Sequence, residues 1–371
     1  MQPSSMYHEL FRGAHDAFRV IVPHERDRIP ITRHTWGIPL VCYIPFVFLA
    51  FLARRPDTYL IRLLLLPTVI CSILVAAYRY TWTQVELNVY NWGQCLFAAV
   101  AIAKALEYTF NPEGMLKVGE SRPGVYKGKA KGISNGYANG NGHSNGHANG
   151  NGHANGYANG NGYANGGPVE SEPEGLSTWW YDAFELAHTM RGLKWKFGQG
   201  VHIPPHDRPL ERGPFLRATA ISFIQNFILL DVLESLVKLF PGVGTPVGGS
   251  IFYPQLSVPL RYLVSTLIHV VTGAALLSGF GMVYDLITLF AVGVMDGSPR
   301  SWPPVMDNPW ISESMHEFWA KRWHQLLRQT FLVFGGYPGR WLGGSMGMVF
   351  GTFLASGARS RVGETVATGN W

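Results

Sequence analysis

Runs of apolar residues at about 38–54, 59–78, 92–110, 216–240 and 259–296 dominate what this chain can become. Roughly 20 predominantly apolar residues carry a helix across about 30 Å of hydrocarbon. Inside that layer each backbone N–H and C=O has to bond within its own segment, which leaves helices or a closed barrel. Runs of this length without period-two alternation favour helices. The fold expected is therefore an all-α integral membrane protein, a multi-span helical bundle of about six to eight spans, with a long disordered loop in the middle. Composition agrees, with 47% hydrophobic against 15% charged residues. A mean hydropathy of +0.06 understates this because an Asn/Gly tract dilutes it.

The net charge of +6 is spread through the loops between apolar runs. That is the pattern of membrane topology rather than of a nucleic-acid surface, so a lipid membrane is the expected partner and nucleic acid is not. Cys42, Cys71 and Cys95 fall in the apolar runs without paired spacing. A disulfide framework or zinc site is not indicated, and they read as buried apolar residues. No metal is expected. The first 36 residues are mixed in charge, so the first span is expected to act as an uncleaved signal.

The chain divides into a polar or interfacial segment (1–37), first membrane helices (38–110), an Asn/Gly-rich loop (111–175) and a last region (176–371). Within the first helices, Arg62 is expected to snorkel to the headgroups. Asn91, Gln94 and Lys104 give the third span a polar side that faces the bundle. The loop opens with Lys117, Arg122, Lys127, Lys129 and Lys131, then passes into Asn-Gly and Gly-His repeats that cannot build a core. His143, His147 and His153 there read as repeat expansion, with weak metal binding as the other reading.

In the last region, Arg191 to Phe197 alternates cations with aromatics, which suggests a membrane-surface anchor. The run at 259–296 suits two short spans or one kinked pair around Gly279 and Gly281. Asp231 and Glu234 share a helical face and, with His269, are expected to line the bundle interior. Pro299, Pro303, Pro304 and Pro309 mark a re-entrant or interfacial loop. Ser312 or Ser314 is the expected N-cap of the next helix. A final apolar segment at about 340–357 carries Gly343, Gly344, Gly347 and Gly351, which permit close helix packing.

Glu317-Phe318-Trp319-Ala320-Lys321-Arg322-Trp323-His324 sets two Trp, two cations and a His beside apolar sequence. Ionisable groups at membrane depth mark functional sites by default. On a helix starting near Ser314, Phe318, Arg322 and Gln325 fall on one side and Trp319 and Trp323 on another, with His324 between. A part-buried imidazole can take a proton from an alcohol or donate to a developing oxyanion. An anchored helix start, without chemistry, is the alternative reading of the same residues.

The run Ser314-Met315-His316-Glu317-Phe318-Trp319-Ala320-Lys321-Arg322-Trp323-His324-Gln325 resembles the signature of fungal wax synthase-like membrane-bound O-acyltransferases, S-L-x-x-F-W-G-R-R-W-H/N-Q. Arg191-Gly192 with Trp195 is similar to a pre-membrane R-G-x-x-W motif, and the Pro-rich approach from Trp302 to Pro309 adds to the likeness. The resemblance implies acyl transfer from a coenzyme A thioester, acetyl-CoA in many fungal members, to the hydroxyl of a terpenoid or related secondary metabolite. It implies an endoplasmic reticulum location, a small hydrophobic alcohol as acceptor and pathway enzymes on the same membrane. Long-chain acyl transfer of the wax ester type and a non-catalytic lipid-binding relative are the alternatives. A transporter would show an internal repeat of spans, and none is visible.

The resemblance gives His324 a supporting or base role and assigns Trp319, Arg322 and Trp323 to substrate binding. Such enzymes carry a His shortly after a Ser-Gly pair. Here the pair is Ser356-Gly357, and Ser360 stands where the His is expected. A serine cannot act as base near neutral pH without a partner that takes its proton. Three explanations stand at this point: His324 is itself the base, the protein is non-catalytic, or a shifted exon or frame accounts for the abrupt change in composition after Ala358.

Overall fold

A computed structural model describes residues 3–84, 87–126, 176–243, 249–323 and 325–368. Helix α1 (Pro3–Ile21) leads to β1 (Ile29–Pro30), and α2 (Gly37–Val41) and α3 (Ile44–Ala53) follow. Next come α4 (Tyr59–Tyr78), β2 (Tyr80–Thr81), α5 (Asn88–Phe110), β3 (Glu120–Arg122) and β4 (Val125–Tyr126). The second part holds α6 (Leu176–His188), α7 (Arg212–Lys238), α8 (Val258–Gly293), α9 (Met315–Glu317), α10 (Arg328–Phe331) and α11 (Tyr337–Thr368). Strand β1 pairs in parallel with β2, Ile29 opposite Tyr80, and β3 pairs antiparallel with β4. Residues 127–175, with most of the expected loop and its three repeat histidines, lie outside the described residues.

The protein is mostly helical. Among the described residues three helices, α4, α7 and α8, are long and apolar enough to cross a membrane. Helices α3, α4, α5 and α6 share one core, because small residues recur on their facing sides. Ala98, Ala101 and Ala105 of α5 are spaced for one helical face and pack with Ala50, Ala53, Val69, Ile73 and Ala77. Helices α7 and α8 form a separate antiparallel pair, and α8 runs unbroken for 36 residues, so the expected kink at Gly279 and Gly281 is absent. Gly281 instead lets Asn226 of α7 come close, since a Cβ there would meet the Asn226 amide at 2.9 Å.

The polar side chains at depth are the ones with partners. Arg54 is 4% exposed and donates to Glu120 Oε1 and Oε2 at 2.8 and 2.7 Å, to Asp182 Oδ2 at 2.7 Å and to the Met115 carbonyl at 2.7 Å. Lys117 adds a 2.6 Å bond to Asp182, and Arg54 and Lys117 both lie over the Trp195 ring. These contacts join the end of α3, the segment before β3 and helix α6. Residues 111–126, expected as the start of the disordered loop, are accordingly ordered.

Several other expectations are corrected. Arg62 does not snorkel: it is buried and donates to the carbonyls of Tyr108, Asn111 and Pro112, capping the C-terminus of α5. Asp231, Glu234 and His269 face outward, with Glu234 paired to Lys238 at 2.6 Å. The buried acid of this helix pair is Asp285, held by Arg208 at 2.8 Å and Ser222 at 2.6 Å. Of the three cysteines only Cys95 is buried; Cys42 is half-buried and Cys71 exposed on α4. Arg191 and Trp195 are not surface anchors. Trp195 is 1% exposed, and Arg191 donates to the carbonyls of Pro303 and Pro304 and to Tyr284 Oη, fastening the Pro-rich approach to α8. The polar side of α5 does face inward, with Gln94 donating to the Ala76 carbonyl at 2.7 Å.

Candidate active site

Ser314 caps α9 by accepting from Glu317 N at 3.0 Å, as one of the two expected caps. The helix then widens to a π-helical turn over Phe318–Arg322 and ends at Trp323, whose ψ of 153° is extended. This alters the expected faces, because a π turn changes the angular step between residues. Phe318, Trp319 and Trp323 come together, with Phe318 stacked on Trp323 at 5.4 Å and Trp319 edge-on to Trp323 at 5.8 Å. Trp323 also meets Phe280 of α8 at 6.4 Å. Arg322 turns away from this cluster: its Nε donates to Glu317 Oε1 at 2.7 Å and its Nη1 to the Asp307 carbonyl at 3.2 Å. Asp307 in turn meets His202 Nε2 at 2.8 Å. His324 lies outside the described residues, and so does the side chain of Ser360.

Beyond residue 324 the chain folds into a helical hairpin. The first arm runs from α10 through a π-helical turn at Leu332–Gly336 into the start of α11. The chain reverses inside α11 at Gly343 (φ −141°, ψ 23°) and Gly344 (φ 61°, ψ −144°). Gly344 occupies a region that is essentially glycine-only. The segment expected as one apolar helix at about 340–357 is therefore split between the two arms. A Cβ on Gly335 would strike the Gly351 carbonyl, and one on Gly339 the Gly347 carbonyl. The four glycines thus fix an antiparallel register with backbone against backbone. The first arm, residues 328–342, is about 22 Å long, short of the ~30 Å of hydrocarbon.

Gln329 Nε2 bonds Glu107 Oε1 of α5 at 2.7 Å, which seats the open end of the hairpin beside the C-terminal half of α5. Between the hairpin and α4, α5 and α8 lies a cavity of about 360 Å³. Its wall includes Leu74 and Tyr78 of α4, Cys95, Ala99 and Ile102 of α5, and Phe280 of α8, together with Leu327, Phe331, Phe334 and Ser356 of the hairpin region. The volume and the mostly apolar wall are those of a small-molecule pocket, for which about 300–1,000 Å³ is usual. Phe331 and Ser356 come from the two arms, so the hairpin brings Ser356 and the first arm to one chamber. Trp323 reaches that chamber through Phe280, while Trp319 and Arg322 are not in its wall. Phe331, Phe334, Glu107 and Gln329 were not singled out from sequence, and Cys95 was read only as a buried apolar residue, since apolar or isolated polar residues in a span carry no local signal. The GxxxG-type spacing of Gly335 with Gly339 could have found the first arm. Among the described residues no group of three or more His, Cys, Asp or Glu gathers in a way that could hold a metal ion.

Residues 302–369, from the Pro-rich approach through the hairpin, match the model of the membrane bound O-acyl transferase family. The chain is similar to acetyltransferase atnC of Arthrinium sp, 27% identical over 161 residues, which are 40% of this chain and 36% of that protein. It is similar to acetyltransferase eriL of Hericium erinaceus, 27% identical over 136 residues, 36% of this chain and 34% of that protein. The chain thus matches about a third of the length of these curated relatives. No solved structure matches it.

Proposed function

We propose that the protein is a membrane-bound O-acyltransferase that moves an acetyl group from acetyl-CoA to the hydroxyl of a hydrophobic alcohol, a terpenoid or related secondary metabolite, at the endoplasmic reticulum membrane. The observation that carries the reading is the apolar cavity walled by both arms of a hairpin that lies within the family-matching residues. The names of the two relatives support acetyl as the group transferred.

In this mechanism the His324 imidazole takes the proton of the acceptor hydroxyl while its oxygen attacks the thioester carbonyl carbon. The tetrahedral oxyanion collapses, the C–S bond breaks, and the coenzyme A thiolate takes the proton back from the imidazolium. Ester and free thiol are the products, and the imidazole is restored. His324 then fills the role that Ser360 is chemically unfit for. Phe280, Phe331 and Phe334 keep water from the thioester and hold the apolar body of the alcohol.

The test is a screen of isolated membranes containing the protein with labelled acetyl-CoA and a labelled long-chain acyl-CoA in parallel, against a panel of terpenoid alcohols. The expected result is ester formed from acetyl-CoA. Ester formed only from the long-chain donor would move the assignment to wax ester synthesis, and no ester from either donor would leave a lipid-binding relative.

A further inference from the structure

Helix α1 (Pro3–Ile21) is about 28 Å long, close to the length of a span, but Glu9, Arg12, Asp16 and Arg19 keep it from crossing hydrocarbon. Its polar and apolar residues are sorted. At about 100° per residue, Glu9, Arg12, His15, Asp16 and Arg19 fall within one arc of about 120°, and Leu10, Phe11, Ala14, Ala17, Phe18 and Ile21 within another of about 120° on the other side. The apolar arc does not face the core. Leu10 and Phe11 are 66% and 67% exposed and Phe18 is 50% exposed, while burial begins only at Val22. An exposed apolar stripe of this length along one helix marks a surface that something covers.

The chain after α1 fixes the level at which this stripe lies. Ile29 N donates to the Arg79 carbonyl and Ile31 N to the Thr81 carbonyl, each at 2.8 Å, and Ile29 sits opposite Tyr80. These bonds tether α1 to the end of α4, a helix long and apolar enough to cross a membrane, and α1 touches α4 directly. Tyr78, Trp82, Tyr90 and Trp92 gather where α4 ends and α5 begins, with the Trp82 and Tyr90 rings 5.5 Å apart. Tyr and Trp at the ends of spans sit at headgroup depth. We propose that α1 lies flat on the membrane surface beside this aromatic belt, with Leu10, Phe11, Ala14 and Phe18 set into the bilayer. Glu9 and Asp16 balance Arg12 and Arg19 on the polar arc. Apolar burial rather than attraction to anionic headgroups therefore holds the helix down, and a neutral phosphatidylcholine surface is enough. The inference rests on the membrane character of the chain and not on the acyltransferase reading.

The test places single fluorescent labels in full-length protein carrying Cys42→Ser and Cys71→Ser, reconstituted in phosphatidylcholine vesicles. A nitrobenzoxadiazole group is attached at Phe11→Cys or Ala14→Cys on the apolar arc, or at Arg12→Cys or His15→Cys on the polar arc. Protein without an added cysteine gives the background from Cys95. Phosphatidylcholine spin-labelled near its headgroup is expected to quench the apolar-arc labels several-fold more than the polar-arc labels, and aqueous iodide to do the reverse. Quenching that does not alternate between the arcs would overturn the proposal. Apolar-arc labels shielded from both quenchers, with the shielding lost as the protein is diluted into more lipid, would also overturn it and assign the face to a second copy of the chain. Added phosphatidylserine is expected to leave the pattern unchanged, and lipid quenching seen only in its presence would refute binding to a neutral surface. Phe11→Asp with Phe18→Asp changes two exposed side chains. The pair is expected to abolish lipid quenching of the Ala14→Cys label at an unchanged unfolding temperature, and retained quenching would show that the apolar arc is not the anchor.

Discussion

Arg54 shows what a single charge does at this depth. Its guanidinium satisfies Glu120, Asp182 and the Met115 carbonyl at once, so removing it strands two buried carboxylates. Breaking a buried pair in this way costs about 3–5 kcal/mol. Arg54→Ala is expected to lower the unfolding temperature of the detergent-solubilised protein sharply, and Arg54→Lys less so. The same cluster gives a pH dependence. Burial alone would push the Glu120 carboxyl up, but hydrogen bonds from Arg54 and from the Lys117 and Gly124 backbone outweigh it and hold the group below its usual range. The unfolded chain then takes up the proton first. The stabilisation is complete above the unfolded value of about 4.3 and is lost as pH falls below it toward the folded value. Unfolding temperature followed across that window should fall steeply in the native protein and more gently in Glu120→Gln. Sequence made the charged residues visible without their partners. Asp231 and Glu234 share a face and point outward, whereas Asp285 is buried because Arg208 arrives from the loop before α7. That pairing depends on a contact between residues far apart in the chain, which spacing does not encode.

Among the elements, the glycine hairpin decides whether the chamber exists. Close backbone contact at Gly335 with Gly351, and at Gly339 with Gly347, leaves no room for a side chain. Gly351→Leu is expected to part the arms, cost at least about 3 kcal/mol and abolish acyl transfer. Gly344→Ala, forced to a φ of 61°, should cost about 1–3 kcal/mol and lower yield more than it lowers turnover per molecule. Purified yield, unfolding temperature and activity per milligram separate the two effects. The spans were legible because lipid forces backbone bonding within each segment: the run expected at 59–78 is α4 (Tyr59–Tyr78). The reversal at Gly343 and Gly344 was not, since a pair of glycines reads equally well as a packing seam or as a turn. The Ser314 cap was readable, but the π-helical turn that regroups Phe318, Trp319 and Trp323 was not, because a side-chain pattern drawn on a regular helix fails where the helix changes pitch.

For the whole molecule, the chamber joins the early helices to the family-matching region, so both are required for one site. Ala99 lines that chamber from α5. Ala99→Phe is expected to reduce transfer to bulky terpenoid alcohols several-fold more than transfer to short-chain alcohols, read as the ratio of kcat/KM values. Removing residues 133–167, a tract of Asn-Gly and Gly-His repeats, should leave transfer unchanged in a membrane assay. The central claim is the proposal that His324 serves as the base. Its most direct test is labelled acetyl transfer from acetyl-CoA by membranes holding equal amounts of native protein and His324→Ala. Robust transfer by the native protein with none by His324→Ala is the predicted result; full transfer by His324→Ala would contradict the account.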